Sequence, residues 1–338
     1  MGLAPGAALR LQWRSYRFAL PQAMVTSQGA WKVRSGWLLR LQAADGRLGW
    51  GEAVAESRPG QEGSPPERLD DLQGLIARLP EVLGRQELEA LLLQQPLALA
   101  CALGMALAEL DGLGSRAGGG WRAAPPSAFL LPAGEAALPA LAEALQTASA
   151  AGHAPTVKWK VAAVPDALER RLLDVLLETL PANGRLRLDA NGGWDRGTAQ
   201  AWAQRLATES RLDWLEQPLP AHDRAGLEAL ASQLPVALDE SLRSAAGWCP
   251  GAEWPGWLVR RPLLEGDPRP LLAALTAGTP RLMLSTALET GIGRRFLQQL
   301  AALQAQGPTP TAPGLAPGWR PDGDLFAADP ERVWSAAA

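Results

Sequence analysis

Thr156-Val157-Lys158-Trp159-Lys160, Leu186-Arg187-Leu188-Asp189, Leu212-Asp213-Trp214-Leu215-Glu216, Val236-Ala237-Leu238-Asp239 and Trp257-Leu258-Val259-Arg260-Arg261 are five short, mainly apolar runs that each end on a charged residue. Their length and their Pro, Gly or polar borders read as β-strands. The terminal charges stand 29, 27, 23 and 22 residues apart (189−160, 216−189, 239−216, 261−239). That spacing accommodates one loop, one helix and the next strand. A βα repeat with ionisable groups at its strand C-termini predicts an α/β fold of the TIM type, with the site on that face.

Outward from this stretch the period continues. Residues 127–131 are expected as strand one and 281–285 as strand seven, which ends 24 residues after Arg261 (285−261). Helices are predicted at about 135–150, 165–180, 196–208, 223–233, 267–277 and 291–305. Residues 308–315 are the only candidate for an eighth strand, and their prolines make it a poor one, so the barrel reads as (β/α)7β. Upstream, residues 9–17, 37–42 and 48–53 are strand-like, with Asp45-Gly46 as a turn and residues 21–36 as a loop. Pro/Gly/Ser-rich residues 57–66 end the strands. Helical patterns then cover about 66–79, 86–94 and the almost wholly apolar 98–110. Glycines in 112–120 suggest a join. The expected division is an α+β capping domain at 1–120, the barrel at 121–315, and a tail at 316–338 whose Trp319, Phe326 and Trp334 return to the cap.

A chain of 338 residues suffices for a barrel of roughly 200 to 250 residues plus a smaller domain. Its net charge of −3 gives no electrostatic case for nucleic acid or anionic membrane. No apolar run approaches the ~18 residues of a spanning helix, and the first ten residues lack a signal-like charged start and apolar core. Cys101 and Cys249 form no C-x-x-C motif, so a reduced, cytoplasmic protein is expected. The presence of only His153 and His222 speaks against a His-rich zinc site. The glycines of 112–120 do not follow a strand in dinucleotide-binding spacing. Composition leaves the oligomeric state open.

Lys32, Lys158 and Lys160 are the only lysines, so arginine supplies 29 of the 32 basic residues (32−3). Two of the three lysines share one strand, two residues apart and therefore on one side of it. A lysine can be tuned to give up its proton, whereas arginine cannot. Like charges and a nearby metal are expected to depress both ammoniums, making Lys160 a base and Lys158 its electrostatic neighbour. Asp189, Glu216 and Asp239 are acceptor-only groups on successive strands. Singly, each has an ordinary use as a helix cap or arginine partner. Together they predict a Mg²⁺ site that stabilises the enolate formed when an α-proton leaves a small carboxylate substrate. Arg187, two before Asp189, either holds a substrate carboxylate or pairs with a barrel acid. Gly291 and Gly293 either offer N–H groups to an anionic substrate group or form a tight turn.

Lys158-Trp159-Lys160, Asp189-Ala190-Asn191, Glu216-Gln217-Pro218, Asp239-Glu240-Ser241 and Arg261-Pro262, in this order, resemble the muconate-lactonizing subgroup of the enolase superfamily. Supporting stretches are Gly49-Trp50-Gly51-Glu52, Ala106-Leu107-Ala108-Glu109-Leu110, residues 285–293 and Pro313-Gly314-Leu315. That superfamily is itself the standard example of a Lys or His base working with Mg²⁺ on an enediolate. The resemblance implies Lys160 as acid and base, Asp189, Glu216 and Asp239 as Mg²⁺ ligands, Asn191 and Ser285 lining the pocket, and residues 21–36 as a loop closing over substrate. It also implies syn dehydration of 2-succinyl-6-hydroxy-2,4-cyclohexadiene-1-carboxylate to 2-succinylbenzoate, in menaquinone and phylloquinone biosynthesis.

One position departs from the pattern. The subgroup normally has a second lysine before the strand-six proline, and Arg261 stands there. A racemase or epimerase needs a base on each side of the α-carbon, whereas a syn elimination needs one. Arg261 therefore favours elimination and would act by its charge. A cycloisomerase, an N-acylamino acid racemase and a non-catalytic barrel are the alternatives at this stage.

Overall fold

The computed structural model describes residues 8–26, 29–55, 69–115, 119–243 and 254–338. Cys249, residues 57–66 and part of the glycine join lie outside them. The chain runs β1 (Ala8–Thr26), β2 (Gly29–Ala43), β3 (Leu48–Val54), α1 (Leu69–Ile76), β4 (Val82–Gly84), α2 (Arg85–Leu92) and α3 (Leu97–Leu110). It continues through β5 (Phe129–Leu131), α4 (Ala137–Ala150), β6 (Thr156–Lys160), α5 (Asp166–Thr179), β7 (Arg185–Asp189), α6 (Arg196–Leu206), β8 (Leu212–Glu216) and α7 (Arg224–Ala231). The last elements are β9 (Val236–Leu238), β10 (Trp257–Arg260), α8 (Arg269–Thr276), β11 (Leu282–Leu284), α9 (Gly291–Ala305) and α10 (Pro330–Ala336). Strands β5 to β11 pair in sequence order and parallel, while the N-terminal sheet is antiparallel in the order β3-β2-β1-β4. The fold is a TIM-like (β/α)7β barrel with an α+β capping domain.

Strand parity decides what each barrel residue meets. Val157, Trp159, Leu186 and Leu188 are fully buried and belong to the apolar layer that also holds Leu141, Leu173 and Trp202 of the outer helices. Lys158, Lys160, Arg187 and Asp189 have the opposite parity and face the interior. Trp214, Ala237, Val259 and Met283 form a small apolar cluster inside the barrel. The eighth position is barely a strand. Ser285 forms a single parallel bridge to Gly314, and Ala128 N donates to Pro313 O on the other side.

Residues 21–36 are not a loop. Strands β1 and β2 pair along Ala19↔Val33 and again along Met24↔Trp31 to Thr26↔Gly29, with a register break between Ala19 and Met24. Pro21 falls in the break, where its missing N–H cannot join a ladder. The tail returns to the cap: the Trp334 ring lies 5.8 Å from Trp50, Arg14 donates to Trp334 O at 2.9 Å, and Ser15 and Ala338 exchange backbone hydrogen bonds.

The Gly49-Trp50-Gly51 motif is explained by close approach. A Cβ at Gly49 would lie 2.1 Å from Ala106 O, and one at Gly51 2.0 Å from Ala102 O, both on the backbone of α3. Helix and strand must therefore separate if either glycine acquires a side chain. Gly51→Ala is expected to destabilise the chain by about 1–3 kcal/mol, the usual cost of overpacking. A lowered midpoint in urea would show this, and an unchanged midpoint would refute the packing argument.

Candidate active site

Lys160, Asp189 and Glu216 are register partners on three adjacent strands, and Asp239 follows the end of the fourth. Their side chains therefore meet at one level of the barrel mouth. Lys158 Nζ donates to Glu216 Oε1 at 2.5 Å and lies 2.8 Å from Asp189 Oδ2. Lys160 Nζ donates to Asp189 Oδ2 and to Asn191 Oδ1, each at 2.7 Å. Asn191, in the left-handed region at φ 46°, sends its own N–H to Asp189 Oδ1 and its Nδ2 to Glu240 Oε1, both at 3.0 Å. Asp239 is clasped by Arg261, whose Nη2 lies at 2.6 Å and Nε at 3.1 Å, while Arg261 Nη1 donates to Thr286 O at 2.6 Å.

Exposure separates the groups. The three acids are 0–1% exposed and the Lys158 side chain 10%, whereas the Lys160 and Arg261 side chains are each 19% exposed. Lys160 and Arg261 are thus the cations that a bound molecule reaches first. Lys160 ends β6 and Arg261 follows β10, and these strands lie four places apart in the sheet order and so face each other across the ring.

The electrostatics revise one expectation. Burial alone would lower the Lys158 ammonium, but Asp189 and Glu216 against it prevail and hold it above the ordinary lysine value. Opposite charges at hydrogen-bond distance outweigh the neighbouring cations. Burial opposes the charged form of Asp189 too, yet Lys158 and Lys160 hold that carboxyl below its usual range. Glu216 is pushed up, first by burial and then by Asp189 and Asp239 on either side, with Lys158 only partly offsetting them. Arg261 is held above its usual value by Asp239 despite its burial.

Three buried carboxylates in mutual repulsion form an acceptor-only donor set for a hard divalent cation. Among the described residues no three His, Cys, Asp or Glu side chains stand as a ready-made metal cage. The Lys158 ammonium nonetheless already bridges Asp189 and Glu216 as a small cation would. By donor type and by their positions at successive strand ends, Asp189, Glu216 and Asp239 are the residues that would hold such an ion.

Three expected contributors are placed elsewhere. Arg187 is fully buried two residues below Asp189, donates to Asp213 Oδ2 at 3.0 Å, Ala312 O at 2.8 Å and Thr311 Oγ1 at 2.7 Å, and lies over the Trp214 ring. Its guanidinium is spent on a barrel acid and on the eighth position, so the substrate-carboxylate role is corrected. Gly293 N donates at 2.9 Å to the carboxylate of Glu52, and Gly291 packs so closely that a Cβ there would lie 2.0 Å from Ala327 O. The anion at this helix start belongs to the chain itself. Ser285 does stand at the mouth, level with Arg261, with Oγ 3.5 Å from Gly314 O.

Several supporting residues were not singled out from sequence. Gln217 accepts from the Asp239 and Ser241 N–H groups at 3.1 and 3.0 Å and so sets where Asp239 begins. Glu240 holds Asn191, Trp214 Nε1 donates to Glu216 Oε2 at 3.3 Å, and Glu265 accepts from Arg261 N at 2.5 Å. Gln217 and Glu240 adjoin the acids in their motifs, which was the available signal.

Residues 140–250 match the family model described as enolase C-terminal domain-like. The o-succinylbenzoate synthase of Thermosynechococcus vestitus is 35% identical over 303 residues, covering 86% of this chain and 88% of its own length. The chain belongs to the o-succinylbenzoate synthase family. A further member, from Edwardsiella ictaluri, is 30% identical over 89% of this chain and 88% of its own. The crystal structure of o-succinylbenzoate synthase from Thermosynechococcus elongatus BP-1, complexed with Mg in the active site, superposes with a TM-score of 0.77 at 34% identity, covering 96% of this chain and 99% of that one. The fold is also that of muconate lactonizing enzyme from Pseudomonas fluorescens (TM-score 0.66, 22% identity, 99% and 100% covered). In this o-succinylbenzoate synthase family member, no helix among the described residues is long and apolar enough to cross a membrane.

Proposed function

We propose that this chain catalyses the Mg²⁺-dependent syn dehydration of 2-succinyl-6-hydroxy-2,4-cyclohexadiene-1-carboxylate to 2-succinylbenzoate, in the cytoplasm, as a step of menaquinone and phylloquinone biosynthesis. Residues 121–315 act as the catalytic barrel, 1–120 as its cap, and 316–338 as the tail returning to the cap. One observation carries the choice of reaction. Across the ring from the accessible Lys160 stands Arg261, tied to Asp239 and Thr286, so one side of the substrate meets a proton-transferring lysine and the other a fixed positive charge.

Asp189, Glu216 and Asp239 would hold the metal. When bound, Mg²⁺ supplies positive charge to the substrate carboxylate beside the α-carbon. Lys160, as the amine, takes the α-proton while the C–H electron pair enters the ring. The same group then returns that proton to the hydroxyl leaving from the same face. The C–O bond breaks, water departs, the ring gains its last double bond, and Lys160 is again an amine. Asn191 orients Lys160, Lys158 keeps its charge between the acids, and Ser285 lines the pocket beside Arg261.

The test is turnover of the purified diene with Mg²⁺, followed by absorbance of the aromatic product. A kcat in the ordinary enzymatic range of about 1–10³ per second is expected. No turnover, or comparable racemisation of an N-acylamino acid with solvent-proton exchange, would refute the assignment.

A further inference from the structure

We propose that Glu52, on the capping domain's β3, is a positioning residue for Arg261, acting through the loop between β11 and α9. The proposal builds on the dehydration reading for its kinetic consequence, while its geometry stands apart from it. Glu52 is wholly buried and its carboxylate gathers donors from two sources. Tyr16 Oη of the cap donates to Oε1 at 2.7 Å. From the barrel side, Thr290 Oγ1 and Gly293 N donate to Oε2 at 2.6 and 2.9 Å, and Thr290 N lies 3.0 and 3.1 Å from the two oxygens. A carboxylate at a helix start also meets the positive end of its dipole. The seat is shaped for that oxygen: a Cβ at Gly293 would lie 2.7 Å from Glu52 Oε2.

Thr290 ends a short loop that is braced within itself. Glu289 Oε2 accepts from Thr286 Oγ1 at 2.7 Å and from Ala287 N at 2.9 Å, and Leu288 N donates to Thr286 Oγ1 at 2.8 Å. A loop so tied moves as a piece, and at its other end the Thr286 carbonyl accepts from Arg261 Nη1 at 2.6 Å. Arg261 in turn clasps Asp239. The cap thus sets the angle of Arg261 without touching it. Glutamine at position 52 keeps the volume but offers one fewer acceptor and turns an NH₂ toward donors, so the loop must shift.

Glu52→Gln, Arg261→Ala and the double variant are compared with the wild type in the diene assay. Glu52→Gln is expected to lower kcat about 10- to 100-fold, the usual range for groups that orient a site from behind, with a smaller change in KM. In the Arg261→Ala background the same substitution is expected to cost almost nothing further, because the two act in series. An equal loss in both backgrounds, or unchanged kcat in Glu52→Gln, would overturn the proposal. Should Glu52→Gln fail to fold, Thr290→Val replaces it with the same expectations. A second readout needs no turnover: the rate of phenylglyoxal modification of Arg261, mapped by peptide mass spectrometry. It is expected to rise several-fold in Glu52→Gln while the fully buried Arg187 keeps its rate. An unchanged Arg261 rate, or a parallel rise at Arg187, counts against the proposal. If the wild type does not turn over the diene, the functional reading fails and this chemical measurement still decides the inference.

Discussion

Lys160→Ala is expected to reduce kcat for diene dehydration by about 10²- to 10⁴-fold, the range for removing a general acid or base. The upper part of that range is expected, because the proposed cycle uses one amine for both proton transfers. Arg261 cannot substitute from across the ring, since it keeps its proton near neutral pH. The variant should remain folded: Asp189 still faces Lys158 at 2.8 Å, and Lys160 itself is partly solvated, so no wholly uncompensated charge is left behind. Mg²⁺ binding by titration calorimetry is expected to persist. A variant with wild-type kcat would remove the base from the mechanism, and one that neither folds nor binds metal would show that Lys160 is structural instead.

Lys158→Met is expected to show the largest loss of stability. Its ammonium lies between Asp189 and Glu216 at 2.8 and 2.5 Å, with both carboxylates fully buried. Removing one partner of a buried ion pair typically costs about 3–5 kcal/mol, because the remaining charge is left in a poorly polarisable interior. Here two acids lose the same partner, and Glu216 already suffers repulsion from Asp189 and Asp239. Urea denaturation without added metal measures the loss. Saturating Mg²⁺ should recover part of it, since a ligand of the folded state stabilises by mass action. A midpoint unchanged in the absence of metal would mean that the ammonium contributes nothing to holding these acids.

The barrel was legible because its information is local. Parity within Lys158-Trp159-Lys160 places Trp159 outward and both lysines inward, and the 22- to 29-residue spacing sets the acids on successive strands. Parity gives the side of a strand and not the depth. Arg187 shares its side with Asp189 but pairs in register with Trp214, a layer lower, where Asp213 and Thr311 take its hydrogen bonds. The partner of Gly293 was illegible for a different reason: Glu52 lies 241 residues away, and nothing near residue 293 announces which anion will arrive. The β1–β2 hairpin was missed because Pro21 and the Gln/Ser/Gly content of 21–36 read as a loop, whereas backbone pairing resumes beyond the break at Met24. Lys158 was misjudged by weighing its cationic neighbour above two acids at closer range.

The single bridge between Ser285 and Gly314 has a mechanical consequence. At this seam only a few backbone bonds, Gly314 N to Leu284 O at 2.8 Å and Thr286 N to Gly314 O and Ala128 N to Pro313 O each at 2.9 Å, are supplemented by a clasp of side chains: Ser127 Oγ to Pro313 O at 2.9 Å and Arg187 to Ala312 O and Thr311 Oγ1. Thermal breathing should therefore begin along this line, with the amides of Thr286 and Gly314 exchanging with deuterium before those of β6 and β7. The cylinder would then widen like a hoop unhooked at one point, without its staves coming apart.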